Sequence, residues 1–458
     1  MQRIPGPADP RPWQTYRWLR RPTELLADCR ARYGDIFQLR CYGDGDMVVV
    51  AHPDAIRAVF AAGYEEVHQP KDEQFGRLLG PSSLFVAEGN IHQAMRKVVL
   101  PALGQAQVKR HIDELHRRAV AAVAKWPSTG WFDLQVAMQD LLLQTTLLLL
   151  FGAGAPERLT DLGRVFADTY AAFRSPFMLV PIGMQARLGR GPWERLVQLS
   201  LQARAIMTRE LVRCRRHAQP EPCVLASLLQ AEHAEGRPLT DAEICDSLLA
   251  LFIAGHDTTA NALSWALDCL LHDPPSHQLL SDEVSPRLTQ SPRWEEVLTL
   301  PYLDAVVREV LRLRPIFPVT TRTLREPMSL LGHDLPAGTV VVPCIYLAQR
   351  REDVFPDPHR FRPERFFGLD PVPFEWMPFG GGVRRCAGSF SVQLQMKVLL
   401  ASIVASAQLE RQPGPAPRMV RAFISLAPDR GVKARVLQRR ALRAVGGPVT
   451  TQSRLASS

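Results

Sequence analysis

The sequence predicts a mainly α-helical fold with a small β region. Three observations carry that expectation. From about residue 52 to about residue 300 the apolar spacing is helical, broken at Pro and Gly. Within it, Thr240-Asp-Ala-Glu243 reads as a capping box, and Asp273-Pro274-Pro275 is the next stop signal. That predicts a helix of roughly 45–50 Å, enough to cross a domain. Its middle, residues 248–254, is apolar on every face and therefore buried. The β signals are few: residues 36–40 and 47–51 flank Gly43-Asp-Gly45 as a hairpin, and short pieces such as Thr339-Val-Val-Val return around 320–345.

The remaining elements follow in order. Pro5, Pro7, Pro10 and Pro12 make residues 1–19 a Pro-rich, extended lead-in. Residues 141–151 contain Gln144, Thr145 and Thr146 and read as a buried core helix rather than a membrane span. A helix is expected over 303–314 and another from 389 to about 409, with 438–458 a frayed, Arg-rich and then polar tail. Hydrophobic residues make up 46% and charged residues 22% of the 458, which excludes a disordered or fibrous protein and suffices for a large core. A single domain over 1–458 is expected, with no internal repeat.

The net charge of +9 comes from Arg spread along the chain, densest at 17–21, 213–216 and 435–443. No nucleic-acid motif accompanies it, so the functional reading is an acidic protein partner. There is no signal-peptide h-region and no stretch of ~20 uninterrupted apolar residues. A cytoplasmic monomer without a membrane anchor is the expectation. The eight cysteines show no C-x-x-C spacing, and seven of them read as buried free thiols.

The eighth is Cys386, in Phe379-Gly-Gly-Gly-Val-Arg-Arg-Cys386-Ala-Gly388. A thiolate ligand needs backbone N–H groups aimed at sulfur, nearby positive charge and a helix N-terminus. Gly380 to Gly382, Arg384, Arg385 and the helix after Gly388 supply these. The loop resembles the haem-binding signature of the cytochrome P450 family, F-x-x-G-x-R-x-C-x-G, at every fixed position. The resemblance implies that Cys386 is the axial ligand of haem iron, with Phe379 and Gly380 part of the cofactor loop, and that the chain has the cytochrome P450 fold.

Other segments match that family in the expected order. Glu309-Val-Leu-Arg312 matches E-x-x-R and Phe361-Arg-Pro-Glu-Arg365-Phe matches its later Pro-Glu-Arg-Phe piece. The resemblance implies a buried ion network of Glu309, Arg312 and Arg365. Ala254-Gly255-His256-Asp257-Thr258-Thr259 matches the oxygen-activation motif, with Thr258 holding a proton network that Asp257 feeds. The Thr258 hydroxyl is expected to bond the Ala254 carbonyl, and His256 to be packed rather than a ligand. His92 and Arg96 match H-x-x-x-R, and with Arg322 and Arg384 they are the implied partners of the haem propionates.

The function implied is monooxygenation: one atom of O2 enters an apolar small molecule, terpenoid, steroid-like or fatty-acyl. Electrons come from NAD(P)H through a separate ferredoxin and ferredoxin reductase, and the cofactor is haem b. An acidic ferredoxin would dock near Arg385, Arg96 and Lys97. The family's substrate-contacting segments fall at 75–86, 249–254, 316–320 and 422–426, which makes Phe85, Phe252, Ala254, Phe317, Val319, Phe423 and Ile424 the candidate substrate contacts. Two other readings stand beside this one: a peroxide-driven peroxygenase, and a non-catalytic haem-thiolate sensor.

Overall fold

The long helix organises the molecule. In a computed structural model, which describes residues 4–43, 45–69, 73–173, 175, 191–217, 221–289, 292–368, 372–422 and 425–440, it runs Asp241–His272. The capping box forms: Thr240 Oγ accepts from the Glu243 N–H at 3.2 Å, and Glu243 Oε2 accepts from the Thr240 N–H at 2.8 Å. The helix stops at Asp273, because Pro274 cannot supply the next N–H. It packs against the helices Leu134–Phe151, Pro301–Leu313 and Ser389–Ser406. Leu134–Phe151 and Ser389–Ser406 are long and apolar enough to cross a membrane, but 67% and 78% of those spans are buried inside the protein.

The strands form four small sheets among the described residues. Ile36–Cys41 and Gly45–Val50 form the expected hairpin, with Ile36 opposite Val50. Gly45–Val50 pairs in parallel with Val340–Pro343, which pairs with Arg322–Leu324, which pairs with Val67–His68. A separate hairpin joins Met419–Ala422 to Ser425–Pro428.

Three expectations change. Residues 11–20 are not extended: Arg11–Arg20 is a helix, since Pro in a first turn loses no hydrogen bond. The helix from Ser389 ends at Ser406 rather than near 409. There Ala407–Arg411 turns into a strand, because Lys433–Arg439 offers it a ladder. Residues 438–440 are therefore held rather than frayed: Gln438 and Arg439 pair in that ladder, and Arg440 N–H donates to Ser406 O at 2.8 Å. The rest of the tail, 441–458, lies outside the described residues.

A buried ion network ties the helix Pro301–Leu313 to the chain that leads into the cysteine loop. Arg312 Nε and Nη2 donate to the two Glu309 oxygens at 2.6 and 2.8 Å, with no exposure on either side chain. Arg365 Nε donates to Glu309 Oε1 at 3.1 Å. Arg312 Nη1 also donates to Gln349 O and Pro358 O, both at 2.8 Å. Gln349 Oε1 in turn accepts from Met377 N–H at 2.9 Å, and Trp376 Nε1–H donates to Arg308 O at 3.1 Å. Replacing Arg312 with Ala leaves the fully buried Glu309 carboxylate without its bidentate counter-ion. A loss of about 3–5 kcal/mol in denaturant unfolding is expected; a loss below about 1 kcal/mol contradicts the network's role.

Candidate active site

Cys386 lies at the end of a short 3-10 turn, Gly382–Arg384, just before the helix Ser389–Ser406. Its N–H donates to Phe379 O at 3.0 Å. Gly380 and Gly382 have φ of +64° and +65°, the left-handed region that favours glycine. A Cβ at Gly382 would lie 2.3 Å from Phe60 O, and one at Gly381 would lie 2.4 Å from the Phe60 ring. The loop is thus pressed against Phe60 with no space for side chains. Phe379 meets Trp376 edge-on from the other side.

Among the eight cysteines Cys386 alone is exposed; the other seven are buried, as the sequence reading expected. Protein nevertheless closes around it: burial pushes its thiol up, while the Gly388 N–H, Arg96 and Arg385 pull the other way.

Arg96 links the thiol to a second group of residues. His92 is 2% exposed, and its Nδ1 lies 2.6 Å from the Tyr64 hydroxyl. Burial, then the charges of Arg384, Arg96 and Arg322, hold His92 down at about 3. Arg322, at 3% exposure, donates through Nη2 to Gly381 O at 3.2 Å, and burial lowers it to about 10. Arg384 donates to Leu84 O, Ala87 O and Glu88 Oε1 at 3.2, 2.7 and 2.9 Å. Arg96 makes no hydrogen bond or ion pair among the described residues. Glu88 bonds Arg384, pairs with Arg325 at 3.5 Å and acts electrostatically on Arg322. Tyr64 and Glu88 carry no sequence motif; Tyr64 stands 28 residues from His92, and only the fold pairs them.

On the long helix, Leu251, Ala254, Gly255, Asp257 and Thr258 are half-buried while Phe252, Ile253, His256 and Thr259 are buried. Leu251, Ala254, Gly255 and Thr258 follow i, i+3, i+4, i+7 spacing and so share one incompletely covered face. A Cβ at Gly255 would meet nothing within 4 Å. Thr258 Oγ donates to Ala254 O, as expected. His256 is packed, its Nε2 2.8 Å from Gln139 O. Asp257 is bonded to Gln139, Asn261 and Ser425 rather than to Thr258.

The candidate substrate contacts divide. Ala254, Phe317 and Val319 are half-buried and Phe85 is 39% exposed. Phe252 has no exposed surface: it stacks on Phe166 beside Tyr170, which makes it a core residue here. Phe423 and Ile424 lie outside the described residues.

The family described as Cytochrome P450 matches residues 6–432. The chain belongs to the cytochrome P450 family. Putative cytochrome P450 135B1 of Mycobacterium bovis is 32% identical over 437 residues, 94% of this chain and 91% of that protein. Putative cytochrome P450 137 of Mycobacterium tuberculosis is 30% identical over 88% of this chain and 83% of its own length. A retinoic acid-bound cyanobacterial CYP120A1 superposes with TM-score 0.85 at 24% identity, over 95% of this chain and 99% of that one, and shares the fold. The heme domain of cytochrome P450DA gives 0.82 at 20% identity, over 96% and 98%.

As a P450, this chain is a haem-iron monooxygenase. Its residues fit the group. A single open cysteine could offer sulfur to iron, and the positive charge of Arg96, Arg322 and Arg384, with the neutral His92 imidazole beside it, suits two propionates. The same charge has a consequence for the haem-free protein. Between about pH 6.5 and 3 the unfolded chain protonates His92 and the folded chain does not, so stability falls as pH drops through that window. The slope from this group is up to about 1.4 kcal/mol per pH unit. His92→Gln should remove that part of the slope in haem-free denaturation measured from pH 7 to 4; an unchanged slope contradicts it.

Proposed function

We propose that this P450 inserts one atom of O2 into an apolar small molecule, terpenoid, steroid-like or fatty-acyl, as a cytoplasmic monomer with a single catalytic domain. The cofactor is haem b, and electrons arrive from NAD(P)H through a separate ferredoxin and its reductase. Cys386 holds the iron, and His92, Arg96, Arg322 and Arg384 hold the propionates. The observation that supports this most is the one open cysteine standing within electrostatic reach of Arg96, which belongs to that cation group. When bound, the haem supplies O2 binding and activation at its iron.

The protein's own work is placement and proton supply. The incompletely covered face at Ala254, Gly255 and Thr258 takes small polar guests against the helix backbone. Thr258 Oγ, bonded to Ala254 O, presents its hydroxyl there and passes a proton inward, and the Asp257 carboxylate, after taking up a proton from solvent, replaces it. Ala254, Phe317 and Val319 contribute apolar surface for the substrate. One neighbour in fold is described as bound to retinoic acid, which lies within that substrate class. Arg385 and Lys97, both exposed, and half-buried Arg96 form the basic patch for an acidic ferredoxin.

The test uses the holoenzyme with O2, NADPH, a ferredoxin and its reductase, and retinoic acid as the probe substrate. Oxygenated product is expected, at a rate that falls as salt is raised. Thr258→Ala should keep most NADPH consumption but divert it to hydrogen peroxide, with product lowered about 10- to 100-fold. Unchanged coupling in Thr258→Ala, or salt-independent reduction, contradicts the corresponding assignment.

A further inference from the structure

Three neutral donors from three elements hold the Asp257 carboxylate. Gln139 Nε2, on the helix Leu134–Phe151, donates to Oδ1 at 3.2 Å. Asn261 Nδ2, one turn along the long helix, donates to Oδ2 at 2.9 Å. Ser425 Oγ donates to the same Oδ2 at 3.2 Å. Asn261 is itself fixed, because Gln135 Nε2 donates to its Oδ1 at 2.8 Å. His256 and Tyr170 are the titratable groups that feel this carboxylate. No Lys or Arg pairs with it among the described residues.

Ser425 differs from the other two donors. Gln139 and Asn261 sit on packed core helices. Ser425 is the first residue of the strand Ser425–Pro428, which pairs with Met419–Ala422 in the hairpin. It is 3% exposed, and its Oγ also lies 3.1 Å from Ala422 O, the carbonyl of its own cross-strand partner. One hydroxyl proton therefore has two acceptors: a carboxylate on the long helix and the backbone of the hairpin. The next residue ties the hairpin to the segment after the helix Pro301–Leu313, since Leu426 N–H donates to the buried Ile316 O at 2.7 Å. A small displacement of the hairpin relative to the helix decides which acceptor Ser425 serves.

We propose that Ser425 is a positioning residue for Asp257: its hydroxyl parks the carboxylate away from Thr258, and substrate seated against the hairpin turns that hydroxyl to Ala422 O and frees the acid. This rests on the reading of Asp257 and Thr258 as the proton pair. It adds a gate to that reading, in which the acid is available when the hairpin is occupied. With Ser425 bonded to the hairpin backbone, Asp257 keeps only the Gln139 and Asn261 donors, which leaves Oδ2 one bond short and able to turn toward Thr258.

The experiment compares Ser425→Ala, Ser425→Thr, Asp257→Asn and the double variant Ser425→Ala/Asp257→Asn, all as holoenzymes. The first readout is the infrared carboxylate band that Asp257→Asn removes. Ser425→Ala should shift that band in the resting protein, and Ser425→Thr should restore it. The second readout is hydrogen peroxide released per NADPH without organic substrate, with the ferredoxin system supplying electrons. Ser425→Ala should change this leak about fivefold, the weight of one hydrogen bond. In the Asp257→Asn background the same substitution should change nothing, because there is no acid left to park.

An unmoved band in Ser425→Ala overturns the proposal. So does an equal change in leak with and without Asp257, which marks a general effect of the hairpin. A leak that responds to Asp257→Asn but not to Ser425→Ala overturns the gate and leaves the proton pair standing. A leak unmoved by Asp257→Asn overturns the proton pair, and the gate with it.

Discussion

The Glu309–Arg312 pair is the constraint on which the site depends. Both side chains are fully buried, and neither reaches bulk solvent. Their remaining hydrogen-bonding capacity is spent on the segment that follows: Gln349 O, Pro358 O, the Arg362 N–H and the Arg365 guanidinium. Among the described residues, that segment has little regular structure of its own between residues 350 and 380. Its path is set by where these polar groups must go, since a buried unpaired group costs more than a lost surface contact. The path ends at Met377 and Trp376, both hydrogen-bonded, and so delivers the cysteine loop at a fixed place against Phe60.

Charge does the rest. A haem-thiolate site needs the thiol close to positive charge but not paired with a permanent anion, and needs cations elsewhere for the acid arms of the cofactor. Arg96 meets both needs from one position, acting on the Cys386 thiol and on His92 alike. Burial first, and then the crowding of the neighbouring guanidinium charges, depresses both His92 and Arg322. Tyr64 and Glu88 moderate that crowding, and Glu88 also binds Arg384 and the Gln69 N–H.

Much of this was legible in the sequence because it is local. The capping box, the double proline after Asp273 and the Glu309–Arg312 pair are read within one helical turn. The cysteine loop announces itself through three glycines in a row, two of which adopt left-handed backbone. What stayed hidden is non-local. Ser425 lies 168 residues from Asp257 and Gln139 lies 118 residues from it, and no spacing rule connects such residues. Tyr64 is hidden for the same reason. The early end of the Ser389–Ser406 helix was also invisible locally, because the competing ladder comes from residues 433–439. Phe252 was read as a substrate contact from its segment, yet its position on the helix turns it toward Phe166 and into the core.

The proposal that Cys386 is the thiolate ligand of a haem held by this fold stands or falls on the carbon monoxide difference spectrum of the reduced protein. The red-shifted Soret band of a thiolate-ligated haem is expected in the parent protein, with its loss in Cys386→Ala while the other seven cysteines remain. A well-folded, haem-loaded parent without that band, or a Cys386→Ala variant that keeps it, would contradict the assignment.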